Sequence, residues 1–172
     1  MWFQADETGP FYAQCAEFCG TAHAQMKFMV HSLTQDEYDA WVAGFGELPE
    51  LSPQASQGQA IFNGVGGCII CHTANGSDLP AVVDGRMQGF LTSDVGIAPG
   101  PNLTDLATQH TFAAGIEDLN RENLRRWITN PEDLKPGNYM SERATIYQTH
   151  DGRADLKQEE ISLLIEYLLS LK

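Results

Sequence analysis

Apolar and polar residues follow two different periods, one before about residue 50 and one after it. In the first part, residues 26–31 are rich in aromatic and branched or flexible apolar side chains, which predicts a β-strand. A shorter strand is predicted for residues 11–14. Thr34 followed by Glu37 is a capping-box pattern, which predicts a helix over residues 35–45.

The second part has a helical pattern. Ser52 can cap a helix whose first turn accepts Pro53 and which continues to about residue 62. Asn120 can cap another helix over residues 121–129, and Pro131 is expected to end it.

The C-terminal segment carries the clearest helical period. Asp155 and Gln158 form a predicted capping pair at its start. The apolar residues that follow are spaced i, i+3, i+4, i+7 and i+8, which indicates an amphipathic helix with one buried stripe. These residues are Ile161, Leu164, Ile165, Leu168 and Leu169.

Two stretches rich in glycine and proline interrupt these elements. We interpret residues 47–53 as a linker between a segment at 1–46 and a domain at 54–172. The composition of residues 75–98 predicts a long loop. A loop of this length in a compact domain usually wraps around a bound group, and a cofactor would provide the surface on which it packs. Two strands and one helix are too few for a self-sufficient domain, so residues 1–46 are expected to be the end of a larger unit.

Composition narrows the possible partners. The chain has 172 residues, 42% of them hydrophobic, and a formal net charge of −13. Such an acidic surface excludes nucleic acid and anionic membrane surfaces as general partners. The longest apolar stretch, residues 161–171, is interrupted by Glu166 and is shorter than the roughly 20 residues that span a bilayer. The N-terminus lacks a signal-peptide pattern, so any export signal is expected outside this chain.

Four cysteines come as two close pairs, Cys15 with Cys19 and Cys68 with Cys71. Taken alone, they allow disulfides, one zinc site with four thiolates, or two separate cofactor sites.

The second pair belongs to the pentapeptide CIICH, residues 68–72, which has the spacing for c-type haem attachment. Two thiols on one turn can add to the two haem vinyl groups, and the adjacent His72 can then ligate the iron. The alternatives are a thioredoxin-like redox pair, a zinc knuckle, or a chance histidine after a structural disulfide. The predicted helical surroundings lack the βαβ pattern that a redox pair would have.

Residues 52–172 resemble a class I cytochrome c in the order of helix, CxxCH, loop, capped helix, methionine and last helix. The resemblance implies that Gly58 and Phe62 pack against Tyr167. It also implies that the Pro101 carbonyl, in a GPNL segment similar to the family's GPxL, accepts a hydrogen bond from the His72 ring. Such a bond fixes the tautomer of a ligating histidine.

The sixth iron ligand is predicted to be Met140. It ends the segment KPGNYM, which is similar to the family's methionine loop. Met87 is interpreted as loop packing, and His110 and His150 as surface residues. A thioether opposite an imidazole fills both axial positions, which favours electron transfer over substrate chemistry.

The first pair lies in CAEFCGTAHAQM, residues 15–26. Thiolates, a thioether and one imidazole form a soft ligand set that suits copper. The alternatives are a small disulfide loop, or two zinc ligands completed by Cys68 and Cys71; that zinc site would remove both cysteines from the haem.

This dodecapeptide is similar to the CxExCGxxHxxM signature of the binuclear CuA site in cytochrome c oxidase subunit II. The resemblance implies that Cys15 and Cys19 bridge two copper ions and that His23 and Met26 bind one each. It also implies a weak ligand in the Glu17 carbonyl, and a magnesium ion that the Glu17 carboxylate helps to hold at the contact with oxidase subunit I.

A CuA site also needs a second histidine from an earlier strand, and no such residue precedes Cys15. We therefore expect the chain to be the C-terminal portion of a longer subunit II, with membrane helices and most of the barrel elsewhere. The predicted fold is mainly α, a class I cytochrome c domain preceded by the last strands and a helix of a truncated cupredoxin β-barrel. Bacterial subunits II with a fused haem c domain have this order.

The resulting hypothesis is an electron-entry subunit of a terminal oxidase at the periplasmic or outer face of the membrane. Haem c would receive an electron from a soluble cytochrome or another donor and pass it through CuA to the oxygen-reducing subunit. Catalysis would belong to the complex. The alternatives are a free-standing monohaem cytochrome c and a CuA fusion of the nitrous oxide reductase type.

Overall fold

A computed structural model describes residues 4–44, 50–74, 100–149 and 152–172, together with the backbone of 82–83 and 86–87. The predicted wrapping loop at 75–98 falls outside the described residues except for those two short pairs. The end of the first predicted helix and the first part of the predicted linker, residues 45–49, fall outside them as well.

The N-terminal segment forms a hairpin and a helix, as predicted. Strand β1 (Gly9–Gln14) pairs antiparallel with β2 (Lys27–Ser32), in a register that runs from Gly9 opposite Ser32 to Gln14 opposite Lys27. The connection between them contains a short 3-10 turn, His23–Gln25.

Helix α1 (Gln35–Gly44) begins at the predicted capping box. The Thr34 N–H donates to Glu37 Oε2 at 2.8 Å, and the Glu37 N–H donates back to Thr34 Oγ1 at 3.3 Å. These two bonds satisfy amide groups that the helix itself leaves open.

Helix α2 (Pro53–Asn63) begins as predicted, with Ser52 Oγ accepting from the Ala55 N–H at 3.1 Å. A 3-10 turn, Cys68–Ile70, follows it. Two very short hairpins come next along the chain: β3 (Val82–Val83) with β4 (Arg86–Met87), and β5 (Thr111–Phe112) with β6 (Glu117–Asp118).

Helix α3 (Arg121–Thr129) is capped by Asn120, whose Oδ1 accepts from the Asn123 N–H at 2.9 Å. The predicted end before Pro131 is confirmed. Pro131 also opens a further helix that the sequence pattern did not predict, because proline is well suited to a first helical turn. This helix is α4 (Pro131–Leu134), and α5 (Tyr139–Arg143) follows it.

The last helix, α6 (Gln158–Leu168), is confirmed, but Asp155 as its cap is wrong. The helix is preceded directly by Lys157, whose N–H donates to Glu160 Oε2 at 2.7 Å. The Asp155 N–H instead donates to the Ile146 carbonyl at 2.8 Å, which ties this residue to an earlier turn. Asp155 therefore lies two residues before the capping position at Lys157, too early to cap the helix.

Helices α2, α3 and α6 enclose the hydrophobic core. Four members of the predicted stripe on α6 are buried and Leu169 is partly buried against them. A side chain at Gly58 would overlap the Leu163 carbonyl and lie 2.8 Å from Tyr167 Cβ, so α2 and α6 cross at very close range. The Phe62 and Tyr167 rings meet edge to face at 5.5 Å, which confirms the predicted packing.

The described part of the N-terminal segment has no such core. None of residues 4–44 is buried, and α1 is exposed along its whole length. The mainly helical character of the chain is confirmed, whereas the truncated barrel stays a prediction. None of the described helices combines the length and apolarity needed to cross a bilayer.

Candidate metal centres

The CIICH segment folds into one tight turn. Gly67, with φ +60°, leads into the turn, a backbone conformation that glycine adopts without strain. The Cys71 and His72 N–H groups both donate to the Cys68 carbonyl, at 3.1 and 2.9 Å. Both thiols are free and partly buried. The turn therefore presents two thiols and one imidazole from five consecutive residues.

The His72 ring is oriented by the predicted partner. Its Nδ1 lies 2.9 Å from the Pro101 carbonyl oxygen. A carbonyl can only accept, so Nδ1 carries the proton and Nε2 keeps its lone pair. Burial lowers the pKa of His72, and the bond to Pro101 partly offsets this effect. The ring is thus a neutral imidazole with one nitrogen ready to bind a metal.

Gly100 lies directly against the face of the His72 ring. A Cβ at this position would come within 2.6 Å of Nδ1 and 2.9 Å of Nε2. The Gly100 N–H also donates to the Cys71 carbonyl at 2.5 Å. The glycine of the GPNL segment therefore makes room for the ring, a role that the sequence analysis did not assign to it.

The Cys68 thiol lies in an apolar environment. Burial raises its pKa to about 11, so it stays protonated at neutral pH. An uncharged thiol is a poor metal ligand. The thiol is free, so its sulfur is available for the thioether bond that attaches a c-type haem.

Met140 is the second residue of α5 and is partly buried. Asn138 caps this helix by accepting from the Ser141 N–H at 2.9 Å. The 3-10 turn after the helix, Thr145–Tyr147, lies beside the CIICH turn, since a Cβ on Gly67 would be 3.8 Å from Thr145 Oγ1. The turn that follows α5 therefore packs beside Gly67, the residue that leads into the CIICH turn.

Tyr147 strengthens this connection. Its buried hydroxyl donates to the Ile128 carbonyl at 2.9 Å. Burial is the main cause that raises the pKa of Tyr147, and the nearby Cys68 thiol raises it further. No sequence pattern singled out this tyrosine. The rival ligand His110 is exposed, whereas His150 and the Met87 side chain lie outside the described residues.

The predicted copper ligands converge at the other end of the chain. Cys19 Sγ lies 3.5 Å from Cys15 Sγ, 3.5 Å from His23 Nδ1 and 3.4 Å from Met26 Sδ. The Glu17 carbonyl oxygen lies 3.2 Å from Cys15 Sγ. All five residues of the predicted set thus meet around two sulfur atoms.

Backbone bonds close the loop that carries these ligands. The Cys15 N–H donates to the Met26 carbonyl at 3.0 Å where the strands meet, and the His23 N–H donates to the Gly20 carbonyl at 3.0 Å. The hydrogen bond with Cys15 is the main cause that raises the pKa of the Cys19 thiol. Two thiols this close resist losing both protons unless a cation compensates the charge.

The donor set fits copper better than the alternatives. Cys15, Cys19 and His23 offer ligand atoms within 4.8 Å of one another, and in the described part of the chain Cys68 and Cys71 are not in that group. A shared zinc site is therefore disfavoured. The Cys15 and Cys19 sulfurs are also much farther apart than a disulfide bond of about 2.05 Å.

Residues 55–172 match the sequence model of the cytochrome c family. Along 100% of its length, the chain is also similar to cytochrome c oxidase subunit 2 of Alkalihalophilus pseudofirmus, with 36% identity over 174 residues. The subunit 2 proteins of Bacillus sp. (strain PS3) and Bacillus subtilis are 37% and 29% identical over 95% and 94% of the chain. The chain covers 42%, 40% and 39% of these three relatives, or about two fifths of their length.

Proposed function

Because this chain belongs to the cytochrome c family through residues 55–172, we propose that it carries electrons in a haem-copper terminal oxidase. In this proposal, residues 54–172 are the cytochrome c domain, residues 47–53 are a linker, and residues 1–46 are the end of a CuA domain. The full-length similarity to relatives named cytochrome c oxidase subunit 2 supports this division.

The cytochrome c domain implies a covalently attached haem c. We assign its attachment to Cys68 and Cys71 and its axial ligands to His72 and Met140. When bound, the haem iron supplies a one-electron couple. Pro101 holds the imidazole with Nε2 free, and Gly100 leaves space for the ring. Two axial positions occupied by protein side chains leave no open position for a substrate, which favours electron transfer.

We assign the copper site to Cys15, Glu17, Cys19, His23 and Met26. When bound, the copper pair supplies a second one-electron couple. The strand pairing and the loop bonds hold the sulfur and imidazole ligands close together before any metal arrives. The second histidine would come from a part of the whole protein outside these 172 residues, and the Glu17 carboxylate could assist a magnesium ion.

The proposal also specifies the direction of electron flow and the proteins that donate and accept the electron. With both groups bound, an electron would enter from a soluble cytochrome or a similar donor, pass from the haem to the copper pair, and continue to oxidase subunit I. A net charge of −13 would steer a basic donor toward this chain. Because covalent haem c and copper thiolates are assembled outside the cytoplasm, we assign the chain to the periplasmic or outer face of the membrane, with membrane association through other parts of the protein.

A single observation carries this function: a copper-type cluster of two thiols, an imidazole and a thioether on the same chain as a cytochrome c domain. A free-standing carrier would have no use for the cluster. Pyridine haemochrome analysis of the purified chain is expected to show covalently bound haem. Its absence after expression with haem-attachment machinery would contradict the haem assignment.

The axial assignment is tested with a matched pair of methionines. Met140→Ala should remove the sulfur-to-iron absorption of the oxidised protein and open the sixth position to added ligands. Met87→Ala is the control, since it is the other methionine after the CIICH turn. Loss of the absorption band in the control instead would assign the ligand to Met87.

The copper assignment has a similar pair. Met26 Sδ lies 3.4 Å from Cys19 Sγ, whereas Met29 lies within β2, opposite Tyr12 of β1. In protein that contains the second histidine, Met26→Leu should change the copper absorption spectrum, and Met29→Leu should leave it unchanged. Equal spectra for both variants and the parent would contradict the role of Met26.

A further inference from the structure

Two loops of the cytochrome c domain contact the segment that carries the copper ligands. The first is the tip of the β5–β6 hairpin, residues 113–115. The Lys27 N–H donates to the Ala114 carbonyl at 2.9 Å, and a Cβ on Gly115 would be 3.0 Å from the Lys27 carbonyl. Lys27 directly follows the copper ligand candidate Met26, so this contact lies at the edge of the copper loop.

The backbone of this tip is strained. Ala113, Ala114 and Gly115 have φ values of +52°, +64° and +73°, so three consecutive residues are left-handed. Alanine adopts this conformation at a cost in free energy, because its Cβ crowds the carbonyl oxygen. Such strain persists where the surroundings determine the conformation. Here it directs the Ala114 carbonyl toward β2.

The second contact comes from the loop that leads to Met140. Gly137, with φ +76°, packs on the copper loop so tightly that a Cβ would be 2.7 Å from both Cβ and Cγ2 of Thr21. In the same loop, the Gly137 N–H donates to Glu132 Oε1 at 2.8 Å, which holds the glycine in place. The loop before Met140 thus touches the loop that holds the candidate copper ligands.

We propose that residues 113–115 and Gly137 form an intramolecular clamp for the copper loop, and that electrons cross from haem to copper at the contact between Gly137 and Thr21. This inference rests on the proposed electron-transfer function. With both groups bound, one electron would pass from the reduced haem iron, which would be oxidised, to the oxidised copper pair, which would be reduced. No bond is made or broken and no proton is required in this step. The occupant of the clamp is the chain's own segment 15–27.

The clamp is tested first without copper. In the haem-loaded chain, the Lys27 amide should exchange slowly with solvent deuterium, because its bond to Ala114 must open first. Gly115→Val would force β2 away and should raise the exchange rate of that amide by roughly tenfold, the factor for one net hydrogen bond. Rapid exchange in the parent chain, or an unchanged rate in the variant, would overturn the clamp.

Gly152 provides a matched control. Its φ is +80°, close to that of Gly115 and Gly137, but a Cβ there would meet nothing within 4 Å. Gly152→Val therefore adds the same backbone strain without touching the copper loop. It should leave the Lys27 exchange rate and the haem spectrum unchanged. An equal increase in exchange for this control would show that the effect is strain alone.

Electron crossing is tested in the full subunit loaded with haem and copper. Photoreduction of the haem, followed by absorbance at both centres, should show slower haem-to-copper transfer in Gly137→Val than in Gly152→Val. The spectra of the two centres should stay the same in both variants. Equal rates with both centres loaded would overturn the crossing point and leave the proposed function standing. Absence of covalent haem or of the copper spectrum in the parent would instead contradict the proposed function.

Discussion

The two segments of this chain are ordered by different forces. In residues 52–172, helices α2, α3 and α6 surround a core in which Phe62 is 2% exposed and Ile161 is 1% exposed. In residues 4–44, no residue is buried, and Tyr12 and Phe18 are 84% and 78% exposed. Apolar packing stabilises residues 52–172. Strand pairing, local hydrogen bonds and contacts with the cytochrome c domain stabilise residues 4–44.

Because of this difference, the packed core governs the free energy of unfolding, whereas local bonds govern the placement of the copper ligands. The haem-binding residues lie on a closely packed core, which holds them rigidly. Core residues far from the iron therefore affect whether the haem site forms. The copper loop depends on short-range bonds between neighbours, such as the one from Cys15 to Met26. Matched substitutions in the two segments should therefore have very different effects on unfolding.

The largest expected difference concerns glycine in two helices. Gly58→Val would drive a side chain into the Leu163 backbone and should cost about 3 kcal/mol or more, or prevent folding. Gly44→Val on α1 meets nothing within 4 Å and should change the free energy of unfolding by no more than about 0.5 kcal/mol, in the stabilising direction, because valine has a higher helix propensity than glycine. Urea unfolding of the haem-loaded chain measures both. An unchanged midpoint for Gly58→Val would refute the close crossing of α2 and α6.

A leucine pair tests the core directly. Leu164 is 2% exposed, and Leu164→Ala should lower the free energy of unfolding by about 2–5 kcal/mol because it leaves a cavity. Leu33 is 41% exposed, and Leu33→Ala should change it by less than about 0.5 kcal/mol. Thermal unfolding followed at the haem absorbance gives both values. Comparable losses for the two variants would mean that the N-terminal segment has its own core.

A tyrosine pair isolates one buried hydrogen bond. Tyr147→Phe would leave the Ile128 carbonyl buried without its partner and should cost about 1–3 kcal/mol. Tyr12→Phe removes a hydroxyl from an exposed side chain and should be neutral. The comparison uses denaturant unfolding at one pH. A neutral Tyr147→Phe would show that solvent replaces the lost donor.

The smallest expected effect is an exposed ion pair between α3 and α6. Arg121 binds Glu166 through two hydrogen bonds, one of them 2.9 Å long, and this bonding lowers the pKa of Glu166. Because the folded pKa lies below the unfolded one, the stabilisation is complete above the unfolded pKa and is lost as pH falls through the folded pKa. Arg121→Ala should therefore cost less than about 1 kcal/mol at pH 7 and nothing in strong acid.

Glu37 is the control for that pair. Hydrogen bonds from Thr34 lower its pKa in the same direction, but it caps α1, which lies outside the core. Glu37→Gln should leave the unfolding of the cytochrome c domain unchanged at every pH. A pH-dependent loss of haem-domain stability in this variant would show that α1 unfolds together with the core.

Local features of this protein were predictable from sequence. The caps at Thr34, Ser52 and Asn120 and the stripe on α6 depend on residues within a few positions of one another. The same holds for the CIICH turn and for the spacing of the copper ligands. The Asp155 cap failed because a bond to the Ile146 carbonyl, outside the local pattern, holds that residue before the helix begins.

Sequence alone thus determined the ligand types, their spacing and the helical period, because hydrogen bonding and periodicity act over short distances along the chain. Only the tertiary structure decided that Gly100 makes room for His72 and that the Tyr147 hydroxyl donates to the Ile128 carbonyl. It alone brought Gly137 against Thr21, 116 positions earlier in the chain. These contacts depend on how closely helices and loops from distant parts of the chain pack together. Side-chain volume and backbone strain at such contacts produce no period or motif in the sequence.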